Sequence, residues 1–324
     1  MKIAIDAMGG DNAPHEIIKG AVEATNLGIA DVILVGNQKH IEKELRGLNS
    51  NKDIEIVHTE QVIGMDESPA LGLRRKRDAS IVVATRLVKE GRAEAVVSAG
   101  STGAQMAAAL LILGRIKGIQ RPAIVTLIPT LKGPKLLLDS GANVDCRPEH
   151  LYEFAFMGNV YAKRIMNINN PRVGLLNIGS EATKGNEQTL AAYKLLQDAS
   201  FNFIGNIEAR DIFLGETDVI VCDGFIGNTL LKFGEGMGQA IFTMINREVN
   251  KSIRAKIGAA LALPALKGLK KKMDYAEHGG APLLGVKGVS VICHGSSNAR
   301  AIKNAIRVAN LCVKQGLVSG MEGL

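Results

Sequence analysis

Short apolar runs alternate along the chain with longer stretches in which apolar residues recur every three or four positions. The runs are Ile3-Ala4-Ile5, Val32-Ile33-Leu34-Val35, Ile54-Glu55-Ile56-Val57, Ala95-Val96-Val97, Val173-Gly174-Leu175-Leu176 and Val219-Ile220-Val221. Rich in β-branched residues and bounded by turn formers, they predict strands. Segments 16–27, 78–91, 101–113, 148–166, 187–198, 225–249 and 297–315 carry the helical period. The alternation predicts βαβ units, hence an α/β fold with a mostly parallel sheet and helices on both faces. Segment 123–139, two apolar stretches around Pro129-Thr130-Leu131-Lys132-Gly133-Pro134, predicts an inserted hairpin. No repeat, low-complexity tract or Pro/Ser-rich linker divides residues 1–324. The expectation is therefore one α/β domain in which any second lobe elaborates the same sheet.

Composition narrows the class. Hydrophobic residues at 46% and charged ones at 22% are globular proportions. The formal charge of +7 favours acidic partners, whether an acidic protein, a phosphorylated metabolite or an anionic membrane surface. Nucleic acid is disfavoured, because there is no Trp and only 4% of residues are aromatic, so no stacking platform is in view. Cys146, Cys222, Cys293 and Cys312 form no CxxC pair, which suggests neither a zinc site nor a disulfide framework and fits a reducing cytoplasm. Asp6 and Asp11 interrupt the place where a signal peptide would need its apolar core, and no apolar run approaches the roughly 18 residues of a spanning helix. The expectation is a protein neither secreted nor integral to a membrane.

In open α/β sheets ligands bind outside the carboxyl ends of the strands. Six such ends share one composition: Asp6-Ala7-Met8-Gly9-Gly10-Asp11, Ser98-Ala99-Gly100-Ser101-Thr102-Gly103-Ala104, Asp139-Ser140-Gly141-Ala142-Asn143-Val144-Asp145, Asn177-Ile178-Gly179-Ser180-Glu181-Ala182-Thr183-Lys184-Gly185, Cys222-Asp223-Gly224-Phe225-Ile226-Gly227-Asn228 and His294-Gly295-Ser296-Ser297-Asn298. Each combines glycine, which lets backbone N–H groups face a ligand, with Ser, Thr, Asn or Asp, and three run straight into a predicted helix whose amino terminus favours an anion. Such residues are also ordinary turn and N-cap formers. Six at predicted strand ends favour a phosphate cradle. No GxGxxG follows a strand and no GxxxxGK[ST] occurs, so dehydrogenase and ATPase readings lack their phosphate elements; Gly234-x-Gly236-x-Gly238 falls inside a predicted helix. Cys222 and Cys293 read as small buried hydrophobes rather than nucleophiles. His294 can donate to a phosphate or an oxyanion. Lys184 can neutralise phosphate or stabilise a tetrahedral intermediate.

Taken in order, these loops, with Glu67-Ser68-Pro69-Ala70 and Arg74-Arg75-Lys76, closely resemble those of the bacterial phosphate acyltransferases of phospholipid synthesis, and the resemblance spans essentially the whole chain. It implies a fold similar to the isocitrate/isopropylmalate dehydrogenases and phosphotransacetylases, a homodimer, and conversion of an acyl carrier protein thioester and inorganic phosphate into acyl phosphate and free carrier thiol. It implies no metal or organic cofactor. Lys184 and Asn228 are then the expected groups for phosphate orientation and oxyanion stabilisation, with His294 third. Asp6, Gly9, Gly10, Asp11, Ser98, Gly100, Thr102, Gly103, Asp139, Asn143, Asp145, Asn177, Ser180, Glu181, Asp223, Ser296 and Asn298 are the expected binding positions. Ser101 departs from the family pattern, which usually has Asn there. A basic docking surface for the acidic carrier is expected at Arg74, Arg75 and Lys76, with Arg77 beside them. A coenzyme A-dependent phosphotransacetylase-like enzyme and a non-catalytic membrane scaffold are the alternative readings.

Residues 251–288 combine a basic amphipathic stretch with a glycine-rich loop. Pro264 is expected to break residues 251–273 into two short helices. Leu261, Leu263, Leu266 and Leu269, flanked by lysines, are the expected contacts with the anionic inner face of the cell membrane.

Overall fold

The computed structural model describes residues 1–273 and 279–322. Strands β1 (Lys2–Asp6), β2 (Asp31–Gly36), β3 (Glu55–His58) and β4 (Ala95–Ser98) lie parallel, with β1 between β2 and β4. Two late strands and one short early one complete this first sheet. They are β12 (Val289–Ile292), parallel to β4, then antiparallel β11 (Ala281–Leu284), then β5 (Ala123–Ile124). A second sheet has the order β6 (Thr126–Ile128), β7 (Lys135–Leu138), β10 (Val219–Val221), β8 (Val173–Leu176) and β9 (Phe203–Ile207). All its pairings are parallel except β6 with β7.

The unbroken apolar runs follow from burial on both faces of a sheet, since successive side chains point in opposite directions. In the first sheet Ile3, Ile5, Val32 and Leu34 enter one apolar cluster, while Ala4, Ile33 and Val35 enter another on the opposite face. Helix α1 (His15–Asn26) and the helix Ala299–Lys314 cover the first face. Helices α4 (Ser80–Lys89) and α5 (Thr102–Ala108) cover the second. The first cluster also takes in Leu136, Leu138, Val219 and Val221 of the second sheet and Phe154 of α6 (Pro148–Arg164), so the two sheets share one core.

All six expected strands and all seven expected helical segments form. Residues 126–221, however, build a sheet of their own instead of extending the first, to which the chain returns with β11 and β12. The segment expected as one hairpin is divided between the two: β5 pairs antiparallel with β11, Val125 intervenes, and only β6 and β7 form the hairpin. Local pattern did not single out β9, β11, α2 (Gln38–Arg46) or α3 (Pro69–Arg75). Pro264 breaks nothing. Helix α10 (Ile253–Met273) runs through it, and the hairpin turn lies earlier, between α10 and α9 (Gly224–Asn250). Proline removes one N–H, but the carbonyl it frees belongs to exposed Ala260, where water can satisfy it.

Candidate functional site

The first sheet gathers three of the six loops. Asp6, at the end of β1, is buried; Ser98 Oγ donates to it at 2.7 Å and the Met8 amide at 3.3 Å. Burial pushes its carboxyl up, opposed by the Ser80 and Ser98 hydroxyls. Gly9 is required by space: a Cβ there would stand 2.5 Å from Asp6 Oδ2 and 2.8 Å from the Gly100 nitrogen. The Asp11 amide donates to Gly295 O at 2.8 Å, and Asn12 Nδ2 to Ser296 O at 3.1 Å, which ties this loop to the third one. His294 Nδ1 lies 2.8 Å from Ser296 Oγ. Asn298 caps the helix Ala299–Lys314, accepting from the Ala301 amide at 3.0 Å. Ser101 caps α5, accepting from Ala104 at 3.4 Å. Capping suits Ser and Asn equally, so the departure at this position preserves the local structure. Gly10, Thr102 and Gly103 complete this rim, with Pro69 of α3 packed against Gly103 and Met65 against Gly295.

The second sheet gathers the other three loops, two of them around Asp139. This fully buried carboxylate accepts at Oδ1 from the amides of Ile124 (3.0 Å), Gly141 (3.2 Å) and Ala142 (3.0 Å). At Oδ2 it accepts from the Asn143 amide (2.6 Å) and from Asn143 Nδ2 (2.9 Å). Burial pushes Asp139 up while these donors favour its charged form. Asn143 O in turn accepts from the Gly224 amide at 2.7 Å, placing the start of α9 on this loop. Gly227 allows the close approach, since a Cβ there would lie 1.9 Å from Asp139 O. Asp223 caps α9 through the Ile226 amide at 2.8 Å, and exposed Asn228 stands beside Gly141.

At the end of β8, Asn177 Nδ2 donates to Lys184 O at 3.0 Å, closing a loop in which Ser180, Glu181 and Lys184 are exposed. The aliphatic stem of Lys184 lies over Gly179. Two residues that sequence reasoning passed over fix this loop. Asn206 of β9 is buried and donates from Nδ2 to Glu181 O at 2.8 Å. Gln188, in the first turn of α7 (Glu187–Gln197), donates to Cys146 O at 2.7 Å and joins it to the Asp139–Asp145 loop. The only sequence signal for Asn206 was a polar residue directly after Gly205 within the apolar run Phe203–Ile207, where the structure has a register shift.

The expected site residues therefore divide by environment. Asp6, Asp139 and Asn143 are occupied in holding loops, and Asp223 and Asn298 in capping helices. Asp11, Thr102, Asp145, Lys184, Asn228, His294 and Ser296 are exposed. Lys184 and Asn228 follow paired strands β8 and β10, whereas His294 follows β12 in the other sheet. Lys76 is engaged inside the protein, donating to Val62 O at 2.7 Å and pairing with Glu67. Arg74 and Arg75 are exposed on α3, beside the first-sheet loops. Burial pushes the Cys293 thiol up to about 12 and that of Cys222 well above its usual value, which disfavours the thiolate at either position.

Solved structures share the fold. A phosphotransacetylase from Streptococcus pyogenes superposes with a TM-score of 0.65 at 19% identity, over 97% of this chain and 94% of that one. A 4-hydroxythreonine-4-phosphate dehydrogenase from Klebsiella pneumoniae gives 0.56 at 12% identity, over 96% of this chain and 99% of that one. The chain thus has the mostly parallel α/β fold of the phosphotransacetylases and of that dehydrogenase. Sequence narrows the class. The model of the family described as "Fatty acid synthesis protein" matches residues 1–319. The phosphate acyltransferase of Moorella thermoacetica is 75% identical over 324 residues, 100% of this chain and 96% of that protein. The chain belongs to the phosphate acyltransferase family, enzymes that transfer an acyl group.

Proposed function

We propose that the protein transfers the acyl group of an acyl carrier protein thioester to inorganic phosphate, supplying acyl phosphate to phospholipid synthesis. The observation that carries this reading is the placement of exposed Lys184 and Asn228 on loops at the ends of neighbouring strands, held by the buried frame around Asp139 and Asn206. A phosphate oxygen attacks the thioester carbonyl, the tetrahedral intermediate collapses, the C–S bond breaks, and the carrier thiolate leaves and takes up a proton. Phosphate is already nucleophilic, so the chain needs only to position it and control charge. Lys184 neutralises and orients the phosphate, and the Asn228 amide donates to the oxyanion. His294, oriented by Ser296, stands across in the first sheet as a further donor to phosphate. No metal or organic cofactor is needed for this chemistry.

Purified protein should release carrier thiol only when phosphate is present. A clear preference for the coenzyme A thioester over the carrier thioester would refute the donor assignment. Absence of phosphate-dependent release with both would leave the non-catalytic scaffold.

Exposed Arg74 and Arg75, on a helix packed over the first-sheet loops, suit an acidic carrier. Reversing both charges should weaken carrier use and flatten its salt dependence. Membrane contact at the cytoplasmic face of the cell membrane belongs to the α9–α10 hairpin, which exposes Ile253, Ile257, Leu261 and Leu263 beside lysines. Leu266 is half-buried, and the side chain of Leu269 lies outside the described residues. The distal part of α9, with exposed Ile241 and Ile245, offers a surface for homodimer formation. None of the described helices is long and apolar enough to cross a membrane.

A further inference from the structure

The loop after β8 holds two opposite charges over one glycine. A Cβ on Gly179 would stand 2.8 Å from Glu181 Oε2, 2.9 Å from Lys184 Cγ and 3.4 Å from Lys184 Cδ, so the carboxylate tip and the lysine stem occupy the space that glycine leaves free. The backbone that carries them is fixed. Glu181 O accepts from the Lys184 amide at 3.1 Å and from Asn206 Nδ2 at 2.8 Å, while Lys184 O accepts from Asn177 Nδ2 at 3.0 Å. Both side chains are exposed. Close as it stands to the Lys184 stem, the Glu181 carboxylate forms no ion pair or hydrogen bond among the described residues. It is therefore neither a counter-ion nor a structural tie.

A carboxylate beside a phosphate-binding lysine needs a reason. Two anions repel, and an ionised carboxylate can only accept hydrogen bonds. A phosphate oxygen that still carries its proton removes the conflict, because it donates to the carboxylate in a charge-assisted bond. The hydrogen phosphate dianion has one such P–OH group; seated on Glu181, that group leaves an unprotonated oxygen free to attack. The proton also has a destination. Attack forms the C–O bond and breaks the C–S bond, and the P–OH grows more acidic as its phosphate becomes acylated. The departing thiolate is the stronger base, its thiol having an ordinary value of about 8.5. Hydrogen phosphate dianion and thioester thus give acyl phosphate dianion and free thiol, one proton having moved from oxygen to sulfur. We propose that Glu181 carries this proton: its carboxylate takes it from the phosphate as the C–S bond breaks, and the resulting acid returns it to the leaving sulfur. Glu181 is then a catalytic residue and not one more binding position. This rests on the acyl transfer proposed above and deepens it by naming the protonation state of phosphate that reacts.

The test compares the parent with Glu181→Gln, which keeps the size and removes the charge, and with Glu181→Asp, which keeps the carboxylate. Thiol release from the carrier thioester is followed while phosphate is varied, so that kcat and the phosphate KM are read separately. For Glu181→Gln, kcat should fall about 100-fold or more, the scale of lost general acid–base catalysis. Its phosphate KM should hold or fall, since the glutamine no longer repels an anion. Glu181→Asp should recover about tenfold over Glu181→Gln, because the proton acceptor is restored. Both variants should keep the parent's melting temperature, the side chain being exposed. A Glu181→Gln kcat within about twofold of the parent, far short of that scale, would overturn the proposal. So would a loss confined to a raised phosphate KM, which would make Glu181 part of the binding frame, and so would a Glu181→Asp variant no better than Glu181→Gln. Each of these leaves acyl transfer standing. Absence of phosphate-dependent thiol release by the parent would instead refute that reading, and the proton carrier with it.

Discussion

Replacing Asp139 by Asn should loosen the centre of the second-sheet site. The carboxylate accepts five hydrogen bonds, three at Oδ1 and two at Oδ2. Asparagine keeps one oxygen and turns the other into an NH2 donor. In the better orientation its amide nitrogen takes the Oδ2 position, so the Asn143 amide and Asn143 Nδ2 each face another donor. A buried group left unsatisfied costs about 1–3 kcal/mol, and two therefore cost about 2–6 kcal/mol. Part of this is offset, because burial disfavours the charge on Asp139 and Asn carries none. A net loss of about 2–4 kcal/mol is expected after that offset. With a urea slope of about 3 kcal/mol per molar, the upper part of the range for small domains, the midpoint should drop by about 1 M. Turnover should fall as well, since Asn143 O seats Gly224 and with it the turn that carries Asn228. Urea unfolding followed by circular dichroism, alongside the thiol-release assay, measures both effects. A midpoint within about 0.2 M of the parent, well below that shift, would mean that the five contacts do not organise the loop, and the reasoning would fail.

Lys184→Ala should lower kcat/KM by about 100- to 1000-fold, the range for a lost oxyanion-type contact, with an unchanged urea midpoint because the side chain is exposed; near-normal turnover would remove Lys184 from the chemistry. At the amino ends of the second-sheet strands, burial pushes Asp218 up, but the Arg172 side-chain and backbone donors and Lys135 outweigh it and hold the carboxyl below its ordinary 3.8. Its stabilising contribution is complete above that value and lost as pH falls through the lower folded value. The acid-side melting profile of Asp218→Asn should accordingly be flatter than the parent's, and parallel profiles would count against the pairing. A Leu261→Glu, Leu263→Glu variant should retain turnover on soluble substrate yet fail to sediment with anionic liposomes; loss of folding, with no sedimentation of the parent, would make the hairpin structural.

Much of the architecture is local in origin and could be read from residue order. Runs such as Val32–Val35 are apolar without alternation because helices cover both faces of their sheet, and this pattern marks a buried strand whatever its neighbours. Glycine with Ser, Asn or Asp after such a run marks a strand end, so all six loops were legible. Tertiary structure decided what depends on distant partners. The order of strands, and hence the division into two sheets at Val125, is set by pairing between segments far apart in the chain, such as β5 with β11. The same holds for the carboxylates. Asp6, Asp11, Asp139 and Asp145 look alike in sequence, but Asp139 meets the Ile124 amide and Asp6 the Ser98 hydroxyl, so both are enclosed in the frame, while Asp11 and Asp145 face solvent. Pro264 was misread for a related reason: proline removes a hydrogen bond wherever it stands, but the cost of the freed carbonyl depends on whether water can reach it, and on an exposed hairpin it can.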